Sequence, residues 1–243
     1  MLPAAILFDL DDTILADSLG AAESWASVCA QYAAQFAPFT AAEALDAINA
    51  YRAWYWDDAE RHRLGRLDLV VARQQIIATA LTRLGLDDAH SQPLAAEMAR
   101  DYAQLRDESS HLLPGALETL QQLQAYGVRL ALLTNGAALA QRRKIERHQL
   151  APFFEVIVVE GEFGVGKPDE RVYRHAISAL RLTPQSGWMV GDNLEWDVAA
   201  PQRLGIVGVW HDLAGAGLPV GCAVHPDRII RYLPELLNDE PPH

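Results

Sequence analysis

Five short apolar runs punctuate the chain, at residues 4–8, 128–133, 156–159, 188–190 and 206–210. They are unbroken rather than alternating, which is the pattern of strands covered on both faces. Helix-patterned stretches at 116–126, 137–147, 170–180 and 194–204 separate the later runs. Strands regularly spaced by helices predict an α/β fold built on a parallel, Rossmann-like sheet. Gly127 and Gly205 stand where two of these helices end, because glycine alone adopts the left-handed stop at no steric cost.

Between the first apolar run and the helix-patterned stretch at 116–126 lies a segment of about ninety residues, 17–111, too long for an ordinary strand connection. This stretch has to fold on its own account. Apolar residues recur at helical spacing over 18–34, 41–54, 70–84 and 94–106, with Pro38, Gly65, Gly85 and Pro93 as breaks. The expectation is an inserted α-helical domain over 17–111, and a sheet domain assembled from 1–16 and 112–243. No internal repeat is visible, and the proline-bearing end from 238 to 243 reads as a disordered tail.

Composition narrows the function without naming it. The 243 residues are 50% hydrophobic and 21% charged, with a formal net charge of −12. Such a deficit of cations argues against a nucleic-acid partner, since phosphate backbones are gripped by Lys and Arg. Cys29 and Cys222 are the only cysteines and share no metal-ligand spacing, so neither a zinc site nor a disulfide framework is expected. The apolar start meets Asp9 too early for a signal peptide or membrane span. A cytoplasmic protein with no membrane partner is the expectation. Oligomeric state is not legible.

The chemistry sits where the apolar runs stop. Asp9 follows the first, Thr134 the second and Asp192 the fourth, while Lys167 lies on the loop after 156–159. In open parallel sheets ligands bind outside the carboxyl ends of the strands, so these side chains are expected to converge. Asp9, Asp11 and Asp12 place three carboxylates in four positions, an arrangement that calls for a cation. Magnesium suits such oxygen ligands, with Asp192 as a second carboxylate and Asp197 behind it. Phosphoryl transfer needs a nucleophile, an acid/base and positive charge. Asp9 and Asp11 divide the first two roles, and Lys167 supplies charge. The Thr134 hydroxyl with the Asn135 and Gly136 amides, opening a helix, offers an anion cradle.

These residues together resemble the haloacid dehalogenase superfamily of hydrolases. Asp9-x-Asp11-x-Thr13 is similar to its first motif, Leu133-Thr134-Asn135-Gly136 to its second, Lys167-Pro168-Asp169 to its third, and Gly191-Asp192-Asn193-x-x-x-Asp197 to its fourth. The resemblance implies an aspartyl-phosphate on Asp9 and acid/base duty for Asp11. It also implies magnesium held by Asp9, Asp192 and the Asp11 main-chain carbonyl, and phosphate contacts from Thr134 and Lys167. The helical insertion resembles the cap domain that selects substrate in one branch. Departures are Glu170, where that branch often has proline, and Pro201, which is expected to kink its helix.

Rival readings separate on particular residues. Residues 161–167 fit the start of a nucleotide-binding P-loop, but Pro168 occupies the hydroxyl position and opposes the helix such a loop needs. Signalling receiver domains carry acidic residues, a Thr and a Lys at one sheet edge, yet have no room for the long insertion. The metal-free dehalogenases lack a second aspartate such as Asp11, whereas phosphomutases keep both. The expectation is therefore a magnesium-dependent phosphomonoesterase for a small phosphorylated metabolite, a sugar phosphate or nucleotide, with phosphomutase and receiver as alternatives. In the insertion, Trp54 and Arg61 are candidates for substrate contact. Three adjacent aromatics, Trp54-Tyr55-Trp56, cannot share one helix face, so core packing competes for them. The histidines read as surface or structural residues. Glu160 and Glu162 read as solvated loop charges, and Gly164 and Gly166 as turn formers.

Overall fold

In the computed structural model, which describes residues 1–238, the first apolar run forms β1 (Ala5–Phe8), buried along its whole length. Its side chains alternate between two apolar layers, which is why the run shows no polar position. Ile6 and Phe8 join Leu120, Leu130, Leu132 and Ile145 on one face. Ala5 and Leu7 join Ala131, Leu133, Tyr173 and Met189 on the other.

The remaining strands are β2 (Leu15–Ala16), β3 (His111–Leu112), β4 (Arg129–Thr134), β5 (Val156–Val159), β6 (Gly187–Gly191), β7 (Val207–His211) and β8 (Arg228–Ile230). Five of them join β1 in one parallel sheet, in the order β5-β4-β1-β6-β7-β8. The fold is thus the expected α/β architecture. The helices α6 (Ala116–Ala125), α7 (Ala138–Arg147), α8 (Glu160–Phe163) and α9 (Glu170–Ala179) connect its strands. β2 and β3 pair antiparallel, outside that sheet.

Three sequence expectations need correction. β8 was not foreseen, because only Ile230 of its three residues is buried and an edge strand leaves no apolar run. The helix expected over 194–204 is instead a π-helical stretch, Leu194–Ala199, passing into Ala200–Gln202. Pro201 has no amide hydrogen to give to Asp197, so the ordinary helical ladder fails there. Pro93 does not break its helix, which runs from Asp88 to Ser109 around it. The Asp87 carboxylate accepts from the His90 amide and starts the helix upstream. The carbonyl that Pro93 leaves without a helical donor belongs to Ala89, which is exposed.

Contacts divide the chain into Met1–Asp17 with the described residues from His111 onward, and Ser18–Ser110. The second unit is all-helical: α1 (Ala21–Gln31), α2 (Ala41–Asp57), α3 (Ala59–Gly65), α4 (Leu69–Leu84) and α5 (Asp88–Ser109). Its core includes Trp25, Phe36, Ile48, Ile77, Leu81 and Met98. Trp25 and Tyr102 stack with centroids 4.0 Å apart. No helix among the described residues is long and apolar enough to cross a membrane. Cys29 and Cys222 are free thiols. Of the tail expected to be disordered, only Asn238 falls within the described residues.

Candidate active site

β1 pairs with β4 on one side and β6 on the other, and Phe8 is in register with both Leu132 and Val190. All three strands are parallel, so the residues that follow them leave the sheet at one edge. Asp9, Thr134 and Asp192 come together there because the sheet order reverses at β1.

The Lys167 ammonium joins this group from the loop after α8. It donates to Asp9 Oδ1 at 2.6 Å and to Asp197 Oδ1 at 2.6 Å. Burial opposes its charge, but the Asp197 and Asp9 carboxylates outweigh that and hold its pKa above the usual lysine range. The second oxygen of Asp197 accepts from the Asn193 amide at 3.0 Å. Asn193 Oδ1 in turn caps the turn by accepting from the Glu195 and Trp196 amides. Gly191 leaves room for this packing, since a Cβ there would lie 2.3 Å from Asp197 Cγ.

Asp192 is different. Its carboxylate receives no hydrogen bond and forms no ion pair among the described residues. Burial, then the charges of Asp9, Asp197 and Asp12, push its pKa up to about 8. Asp9 is raised to about 6, chiefly by burial, with Lys167 pulling the other way. Ligand oxygens of Asp9, Asp192 and Asp197 all lie within 4.8 Å of one another. One ammonium bridges two of these carboxylates and offsets a single negative charge, so the cluster as a whole is short of cations. The donor set, all carboxylate oxygen, fits a hard divalent cation such as magnesium.

The Asp11 carboxylate is held by α7. Lys144 Nζ donates to its Oδ1 at 2.7 Å and Gln141 Nε2 to its Oδ2 at 2.9 Å. The same Gln141 amide also donates to Thr134 Oγ1. Burial raises the Asp11 pKa to about 6, with Lys144 opposing. Sequence reasoning missed both helix residues. The available signal was Gln141, a polar residue buried on the same face as Ile145.

One expectation about the second motif changes in detail, and one unforeseen contact joins it. Asn135 uses its side chain on the Lys167 backbone: Nδ2 donates to the Lys167 carbonyl and Oδ1 accepts the Lys167 amide, both at 2.7 Å. The Gly136 amide donates to Glu160 Oε2 at 2.9 Å, so that member of the expected anion cradle is engaged within the protein. Glu160 is therefore no solvated loop charge; it is 4% exposed. Glu162 is the surface residue expected, paired with Arg142. Gly166 is small for a packing reason, since a Cβ would come within 2.6 Å of Glu160 Cδ, whereas Gly164 makes the left-handed turn that ends α8.

Trp54 and Arg61 belong to the helical unit. The Arg61 guanidinium lies 3.8 Å from the Trp54 ring centroid. It donates to the Trp54 and Tyr55 carbonyls. Of the three adjacent aromatics, Tyr55 is buried and Trp54 is 49% exposed. His211 is structural, its ring nitrogens each 3.0 Å from a main-chain carbonyl oxygen, of Asp12 and of Arg231.

The chain is similar to known proteins. The profile of the haloacid dehalogenase-like hydrolases matches residues 3–205. A phosphoserine phosphatase of Thermus thermophilus is 33% identical over 226 residues, which cover 85% of this chain and 88% of that protein. A glyceraldehyde 3-phosphate phosphatase of Pyrococcus furiosus is 32% identical over 127 residues, 52% of this chain and 53% of its own length. Among solved structures, the HAD-hydrolase YfnB from Bacillus subtilis, solved bound to magnesium, has a TM-score of 0.71 at 23% identity over 97% of each chain. That likeness is one of fold. The profile match, spanning every residue of the four-motif cluster, shows that the chain belongs to the haloacid dehalogenase-like hydrolases.

Proposed function

We propose that the protein is a magnesium-dependent phosphomonoesterase that passes the phosphoryl group of a small metabolite through Asp9. The observation that carries this reading is the buried Asp9–Lys167–Asp197 bridge beside Asp192, a carboxylate without a partner. The phosphatases among the relatives support the reaction class, and the Thermus relative extends that support over most of the chain. Asp9, Asp192 and the Asp11 carbonyl would hold magnesium, with Asp197 behind them. The bound ion supplies the positive charge that these carboxylates and a phosphate group together require.

In the first half-reaction a carboxylate oxygen of Asp9 forms a bond to phosphorus while the bond from phosphorus to the alcohol oxygen breaks. Asp11 gives its proton to that departing oxygen. In the second half-reaction water attacks phosphorus, Asp11 takes the water's proton, and the bond from phosphorus to Asp9 breaks to release inorganic phosphate. Lys167 and the Thr134 hydroxyl balance charge on the transferring group. The helical unit would supply substrate selection, with Trp54 and Arg61 as its candidates.

A panel of phosphorylated metabolites, assayed for inorganic phosphate with magnesium and with a chelator, tests this reading. Release that needs magnesium and vanishes in Asp9→Asn is expected. Release that persists in the chelated enzyme or in Asp9→Asn overturns it, and an isomerised product with no free phosphate points to a mutase.

A further inference from the structure

The pair of donors on Asp11 has no part in the scheme so far. Gln141 and Lys144 stand three residues apart on α7, one turn of helix, so both side chains project toward the same place. Each engages a different oxygen of the one carboxylate. Lys144 is fixed further by Asp17, whose Oδ1 accepts from the same ammonium at 2.7 Å. Gln141 ties Asp11 to Thr134, and so links the acid/base to the phosphate-binding hydroxyl. Gln141 is 3% exposed, and a buried amide with two acceptors has little freedom to move.

Both groups present N–H donors to Asp11, and Lys144 has nothing to accept a proton with. They therefore fix where both carboxyl oxygens lie, and so where a proton passes between Asp11 and the attacking water. Each carboxylate oxygen keeps a further lone pair for that water. We propose that Lys144 and Gln141 are positioning residues that hold the Asp11 carboxylate for the water-activating half of the reaction. This rests on the reading of Asp11 as the acid/base. Without the two anchors the carboxylate swings on two free torsions, and misplacement of about an ångström in a reacting group costs on the order of a hundredfold in rate.

The test uses p-nitrophenyl phosphate, whose leaving group departs without a proton. With this substrate kcat/KM reports transfer to Asp9, whereas kcat also carries the release of phosphate from it, and comes to report that step alone once a variant makes it the slower one. Lys144→Met and Gln141→Met are expected to lower kcat about tenfold or more. Their kcat/KM stays within about twofold, and KM falls with kcat. Phosphoenzyme then accumulates, read as a burst of nitrophenol in the first turnover. Lys144→Arg, which keeps the donors, is expected to restore most of kcat. Should Lys144→Met not fold, Gln141→Met carries the same test alone, and circular dichroism reports which case holds.

An equal loss in kcat and kcat/KM, or no loss, overturns the proposal, because a merely structural role moves both together. Asp11→Asn separates the two readings. If it shows the split and accumulates phosphoenzyme while the α7 variants do not, the positioning role is wrong and the acid/base reading stands. If Asp11→Asn itself shows no split, the acid/base reading fails and the positioning role fails with it.

Discussion

The Lys167 ammonium sits between Asp9 and Asp197, 2.6 Å from an oxygen of each. Its side chain is 2% exposed, and those of its partners 11% and 1%. Removing one member of such a group leaves charges buried without compensation, which costs about 3–5 kcal/mol. Lys167→Met is expected to lose stability of that order at neutral pH in chemical denaturation, along with all measurable turnover. The deficit shrinks as pH falls, because one of the two carboxylates then takes up a proton and ceases to repel the other. A Lys167→Met variant as stable as the parent at neutral pH contradicts the bridge.

Asn135 acts on the same lysine from behind. Its side-chain amide exchanges two hydrogen bonds with the Lys167 peptide, so it sets where the lysine chain begins. Asn135→Ala removes both and leaves two peptide groups unserved, at a cost of about 1–3 kcal/mol. The expected result is a folded protein with a lower melting temperature and a kcat reduced about tenfold to a hundredfold. An unchanged kcat means that the lysine is held by other contacts.

The partnerless Asp192 makes stability depend on pH in an unusual direction. Its pKa is raised to about 8 in the metal-free protein, so between the ordinary carboxylate range and about 8 the folded state binds a proton that the unfolded state does not. Stability then falls as pH rises through that window. His148 and His211, both depressed mainly by burial, act in the opposite sense but are already neutral above about pH 7. With a chelator present, the melting temperature is expected to drop from about pH 7 to about pH 8. Magnesium is expected to stabilise more at the higher pH, since binding requires the ionised carboxylate. A chelated protein that gains stability over this interval, or a magnesium effect that ignores pH, contradicts the account of Asp192.

What was legible in the sequence was what leaves a local trace. β1 shows as four apolar residues in a row because both its faces are covered. Asp9, Thr134 and Asp192 show because a polar residue ends such a run. The contacts of Asp11 left no comparable trace, since Gln141 and Lys144 lie 130 and 133 positions away and meet it only through the order of the sheet. Asn135 and Gly136 were placed at the right loop, but their partners were hidden for the same reason. Glu160 was misread because a carboxylate beside a glycine resembles a surface turn until the amide it serves is known. Pro93 and Pro201 show the limit of residue-by-residue rules. One is absorbed by a helix capped ahead of it, and the other replaces ordinary helix by a wider turn.

Covalent chemistry on Asp9 is the central claim, and trapping the intermediate tests it most directly. Enzyme mixed with a phosphate-labelled substrate and magnesium, quenched in acid within the first turnovers and digested, is expected to carry the label on the peptide containing Asp9. The label is expected to be lost on treatment with hydroxylamine, as an acyl phosphate requires, and to be missing from Asp9→Asn. Full turnover with no label on the protein, or label on a residue other than Asp9, contradicts the account.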